Sequence, residues 1–255
     1  MRSLNLLRMG LGTLVLACAL PLAAAPLDDM VAFDATYIPA LAQSSSAAQS
    51  AAAVPKARAT LAELKGAWPT LRARLDATWG RADAGWSAAL ARVDGQLAQA
   101  QALAVKEDWK EVHEALEPVR IELMKARAER GLDYFVDLLT AFHEPMEVLA
   151  LAGGNWRPEE VDARRRAELQ TAFGEARAKW QRVLQYRLDA AAYGLSADKL
   201  ARVRSTLAEE TVALERLDVA LRGTDNAALL KAAAAVKPPY ARAFTAFGRS
   251  AEDPR

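Results

Sequence analysis

From residue 57 onward, bulky apolar residues recur every three or four positions against a background of Ala, Leu, Arg, Glu and Lys. Alternating runs of Val, Ile and Thr, the mark of strands, are almost missing, so the pattern predicts an all-α protein. Two stretches carry the clearest stripes. In residues 108–131, Val112, Ala115, Leu116, Val119, Leu123 and Ala126 fall on one helical face. In residues 132–152, Phe135, Leu138, Leu139, Phe142, Met146 and Leu149 do the same. Gly80, Gly131, Gly153–Gly154, Gly194, Gly223 and Gly248 stand where periodic stretches stop, as helix C-caps do, and mark off about seven helices. Residues 39–56 are Ala, Ser and Gln bounded by prolines, with no bulky stripe, and read as a linker or weak helix.

The chain also echoes itself. Trp68, Arg74-Leu75-Asp76-Ala77 and Trp79-Gly80 recur as Trp180, Arg187-Leu188-Asp189-Ala190 and Tyr193-Gly194, and Leu90-Ala91-Arg92-Val93 recurs as Leu200-Ala201-Arg202-Val203. Residues 108–131 and 225–248 then match without a gap, each opened by an Asp suited to capping a helix. The expectation is an antiparallel helical bundle of two related three-helix halves, 57–131 and 157–255. A unique connecting helix, 132–156, joins them, and residues 25–56 precede them as an N-terminal extension.

Residues 1–24 set the compartment. Arg2 and Arg8 precede an apolar run from Leu11 to Leu22 that ends in Ala23-Ala24-Ala25, the layout of a secretory signal peptide. The run is shorter than the roughly 20 residues that span a bilayer. The mature chain is therefore expected to be periplasmic or secreted, with no transmembrane segment. Cys18, the only cysteine, lies inside the leader. The alternative at that position is lipidation, which would anchor the protein. Conventional cleavage leaves no thiol for disulfides, thiolate ligation or covalent haem. With 33 basic against 32 acidic residues, and two of those arginines in the leader, the mature chain is close to neutral. That gives it no field for nucleic acid.

Candidate chemistry is concentrated. The only two histidines, His113 and His143, both fall between residues 108 and 149. His113, Glu117, Arg120 and Met124 follow at spacings of four, three and four, a second stripe beside the apolar face. His143 and Glu147 are one turn apart on the next helix, between the apolar face and an acidic edge of Asp133, Asp137 and Glu144. Interior prolines, Pro118 and Pro145, free a carbonyl in each helix. His113, Glu117, His143, Met146 and Glu147 are the expected ligand contacts, with Asp137 and Glu144 supporting them. His113, His143 and Glu147 are a metal set in the alternative reading, where the methionines suit copper(I) and the carboxylates suit iron. The other reading has these histidines bordering the core and the methionines filling gaps. No phosphate loop, nucleophile elbow or Cys-x-x-Cys-His stands in the sequence. The expectation is a non-enzymatic exported binding or interaction module for a small ligand or a periplasmic protein. Its alternative is a periplasmic metal-handling protein.

Two architectural resemblances follow from these residues. The stretch from Val236-Lys237-Pro238-Pro239-Tyr240 through Phe244, Phe247 and Gly248 resembles four-helix cytochromes of the c-prime type, although the missing haem-attachment motif excludes covalent haem. His143 and Glu147 resemble the His-x-x-Glu pattern of imelysin-like iron-uptake proteins, with one residue more between them. Both are likenesses of architecture, and neither assigns a family.

Overall fold

A computed structural model describes residues 24–80 and 83–249; the expected leader and Cys18 lie outside them, apart from Ala24. Among the described residues the protein is all-α, with no strand. Its helices are α1 Ala24–Gln49, α2 Val54–Leu75, α3 Ala84–Val105, α4 Trp109–Ala128, α5 Phe135–Asn155, α6 Ala163–Gln185, α7 Ala197–Arg222, α8 Asn226–Ala234 and α9 Lys237–Thr245. Local chemistry sets many of the starts. Asp83, Asp108, Asp162, Ser196 and Asp225 each accept hydrogen bonds from amides of the following turn. No helix among the described residues is long and apolar enough to cross a membrane.

The helices close two rings of neighbours. In the first, α1 packs on α2 and α4, and α3 packs on α2 and α4. In the second, α5 packs on α6, α8 and α9, and α7 packs on those same three. The rings meet where α4 touches α5 and α1 touches α9, and one apolar cluster runs through both. Trp68, Trp86 and Trp180 are buried, Trp156 is partly so, and the side chain of Trp79 lies outside the described ones.

Several expectations change. Much of the presumed extension or linker, residues 25–56, is α1, an integral part of the first ring. Met30, Phe33, Tyr37 and Leu41 supply the missing stripe and are buried, and Ala40, Ser44 and Ala47 extend it with small residues. α5 packs within the second ring. It stands to α6, α8 and α9 as α1 stands to α2 and α4. The expected closing helix, 225–248, is two helices that break at Ala235–Val236, because Pro238 and Pro239 lack the N–H groups a continuous helix needs. α4 and α5, by contrast, run unbroken through Pro118 and Pro145.

Gly153 is no C-cap, since α5 continues to Asn155. A Cβ there would sit 2.3 Å from the Ala234 backbone nitrogen and 2.5 Å from the Leu230 carbonyl, so glycine is what lets α5 and α8 cross at backbone contact. Arg166 donates to the Leu221 and Gly223 carbonyls and to Asn226 Oδ1, tying the end of α7 and the start of α8 to α6.

Candidate functional site

Where the rings meet, α1, α4, α5 and α9 border an open cleft of about 1650 Å³. Its floor is polar because of helical spacing. The stripe of His113, Glu117 and Arg120 on α4 and the pair His143 and Glu147 on α5 lie beside their apolar faces, so packing those faces inward leaves the polar residues at the seam. Lys237 and Tyr240 join them from α9.

Arg120 organises this floor. One terminal nitrogen donates to the Tyr240 hydroxyl at 3.0 Å, and the other contacts Glu117 Oε2 and lies 2.8 Å from His143 Nδ1. Its guanidinium also lies over the Phe244 ring. Burial works against its charge, but the oxygens of Tyr240, Glu117 and Tyr37 more than compensate, so Arg120 stays protonated. Burial likewise pushes Tyr240 up to about 12.

Nδ1 plays opposite hydrogen-bond roles in the two histidines. Arginine can only donate, so His143 Nδ1 accepts, and the ring hydrogen of the neutral imidazole sits on Nε2. Burial, reinforced by the charges of Arg120 and Lys237, pushes His143 down to about 2. Its Nε2–H faces Glu147 Oε2 across 3.7 Å, too far for a hydrogen bond, and that buried oxygen has no hydrogen-bond partner. The other Glu147 oxygen takes Lys237 Nζ at 2.7 Å. His113 Nδ1 lies 3.2 Å from the Leu41 carbonyl and 3.3 Å from Ser44 Oγ, whose own hydrogen goes to Leu41. Nδ1 must therefore be the donor, and Nε2 faces Glu117 Oε1 at 3.4 Å.

The structure thus gathers four of the five expected contact residues, His113, Glu117, His143 and Glu147, each about one-quarter to one-fifth exposed. It does not bring in Met146, which is fully buried with Phe142 and Leu149 on the core side of α5. The expected supporting residues lie elsewhere in role. Asp137 clamps Arg127 with bonds of 2.7 and 2.5 Å, and Glu144 is an exposed rim residue 3.6 Å from Lys179. Arg127 also covers the Tyr134 ring, and Tyr134 donates to buried Asp34, whose pKa burial pushes up to about 6.

The metal set of His113, His143 and Glu147 is not assembled. Among the described residues no three His, Cys, Asp or Glu side chains are grouped to hold an ion. Arg120 holds one His143 nitrogen and Lys237 holds one Glu147 oxygen, so an added cation would meet two positive side chains.

No family model, curated protein or solved structure matches the chain.

The sequence pattern did not reveal Lys237, Tyr240, Leu41 and Ser44. The last two lie in the stretch read as linker. A readable signal was the continuation of the Met30, Phe33, Tyr37 spacing to Leu41, which predicts a helix extending over Pro39.

Proposed function

We propose that this is an exported, non-enzymatic binding protein that holds a small ligand in the cleft between α1, α4, α5 and α9. The observation that carries this reading is the convergence of two histidine–glutamate pairs from different helices on one open cleft, joined through Arg120. A buried arginine bonded to three side chains from α4, α5 and α9 holds donors and acceptors in place before a ligand arrives. The same cluster has paired charges and unshared acceptors, which suits recognition by hydrogen bonding. Export rests on the N-terminal sequence of residues 1–24.

The test is thermal unfolding of the mature chain against a panel of saccharides, amino acids, organic acids and the ions copper(I), zinc and iron(II). A saturable rise in melting temperature with one organic ligand, lost in Val148→Arg at the cleft wall, is the expected result. Stoichiometric ion uptake lost in His143→Ala would replace the proposal with a metal-handling role. A flat panel, with a periplasmic protein retained on the immobilised chain, would replace it with a scaffold.

A further inference from the structure

We infer that Glu210 on α7 is a proton-operated latch on α9. With its carboxyl protonated, α9 lies closed against α7. With the carboxylate formed, the first turn of α9 lifts and takes Lys237 and Tyr240 off the cleft floor. This goes beyond the ligand reading and does not depend on what the cleft holds.

The first reason is the isolation of Glu210. Among the described residues five charged side chains are buried, Asp29, Asp34, Arg120, Arg127 and Glu210. Asp29 pairs with Arg74, Asp34 takes the Tyr134 hydroxyl, Arg120 holds Glu117 and His143, and Arg127 holds Asp137. Glu210 is at 0% exposure, and no side chain hydrogen-bonds to either of its carboxyl oxygens. A buried carboxyl in that position is tolerable when neutral and costly when charged.

The second reason is where the carboxyl lies. The groups that act on it come from α9: the Tyr240 backbone N–H and the charge of Arg242. Val236 gives α9 no side-chain cap, its first turn carries no acid, and Pro238 and Pro239 offer no N–H. Glu210 is the acid set against this helix start from the neighbouring helix. On α7 itself, Glu209 takes Arg242 at the surface. From α6, Trp180 donates to Thr211, the residue after Glu210, and among the described residues no charged group of α6 or α8 acts on the carboxyl.

The third reason is which effect wins. The Tyr240 amide and Arg242 favour the carboxylate, burial opposes it, and burial prevails, pushing the group up to about 8. Once the carboxyl reaches water it returns toward its ordinary 4.5, so between those values lifting α9 releases a proton and becomes up to about tenfold easier per pH unit. α9 is only 9 residues long and follows directly on the turn at Ala235–Val236, which serves as the hinge. Lys237 and Tyr240 both stand in its first turn, so lifting that turn breaks the Lys237–Glu147 and Arg120–Tyr240 contacts together.

Amide hydrogen exchange read by NMR on the full mature chain, corrected for intrinsic amide rates, tests this at pH 5.5 and 7.5. The expected result is an opening constant for the amides of α9 that rises at least about tenfold, within the roughly hundredfold that two pH units permit. The amides of α3, in the other ring, should stay at least about tenfold better protected at both values. Glu210→Gln should remove the pH dependence of α9, and Glu209→Gln, beside it on the surface, should keep it. In the wild type the Glu210 carboxyl ¹³C shift should report the protonated form at pH 5.5 and change alongside α9 exchange, which keeps the test decisive if Glu210→Gln fails to fold. Equal α9 protection at the two pH values overturns the inference, as does a carboxyl already ionised at pH 5.5. Dependence on pH that survives in Glu210→Gln, or disappears in Glu209→Gln, overturns it as well. Exchange of α9 and α3 in step would do the same, because the opening would then be global unfolding and not a latch.

Discussion

Arg120 on α4 donates to His143 Nδ1 on α5 at 2.8 Å, and this one bond decides which imidazole nitrogen carries the hydrogen. It also brings a permanent positive charge against the ring, which opposes protonation. Long-range ¹⁵N–¹H NMR should show His143 as the Nε2–H tautomer, with no titration between pH 4 and 8, because its pKa lies near 2. Arg120→Met should move its titration upward. A wild-type His143 that titrates near its ordinary 6.5 would contradict the bond.

The same imidazole and the buried Glu210 on α7 make stability depend on pH in opposite directions. His143 protonates near 6.5 when unfolded and near 2 when folded, so the unfolded chain binds more protons below 6.5 and stability falls as pH drops through that range. Glu210 is fully buried, and burial, offset only in part by the Tyr240 backbone N–H and the Arg242 charge, pushes it from 4.5 to about 8. The folded chain therefore binds the extra proton between those values, and Glu210 destabilises increasingly as pH rises from 4.5 to 8. Urea denaturation should find Glu210→Gln more stable than wild type at pH 8 by a few kcal/mol, at about 1.4 kcal/mol per pKa unit. At pH 4 the two should nearly coincide. An equal difference at both pH values would sink the assignment.

Arg127 is buried and bound through two nitrogens to Asp137, with Asp34 close by. Arg127→Met should cost about 3–5 kcal/mol, because it leaves Asp137 without its cation in the interior. Arg127→Met combined with Asp137→Leu should recover much of that loss. Chemical denaturation of both variants reads the difference, and a double variant no more stable than the single would show that the pair's geometry, not its stranded charge, sets the cost.

Gly153→Ala places a methyl group against the Ala234 and Leu230 backbone, which cannot yield as a side chain does. The expected loss is about 1–3 kcal/mol. Gly154→Ala next to it meets nothing within 4 Å and should be neutral or slightly stabilising, by up to about 1 kcal/mol. Thermal unfolding of the pair separates backbone contact from helix propensity.

The helical class and the inward faces of α4 and α5 were legible because a buried helical stripe needs only local spacing. Val112, Leu116, Val119, Leu123, Leu139, Phe142 and Leu149 are all buried as expected. Asp108 and Asp225 were readable as caps for the same reason, since capping reaches only two or three residues along the chain. Four of the five expected contacts converge on the cleft because a spacing of four puts His113 with Glu117, and His143 with Glu147, on one edge of each helix. Met146 misled because a polarizable sulfur near a histidine suggests ligation, whereas its angle on α5 belongs to the core face.

By itself, the sequence determined what depends on neighbours a few residues apart: the helices as a class, their caps, their apolar faces, and the polar stripes beside two of them. Only the tertiary structure decided what those stripes become. Small residues let α1 pack tightly where composition suggested a linker, Gly153 lets α5 and α8 touch, and a proline pair turns one expected helix into two. Arg120 meets His143 and Tyr240, 23 and 120 residues away, and those meetings set tautomer, charge and donor geometry. Electrostatics and hydrogen bonding act through space between residues whose order in the chain does not encode their distance.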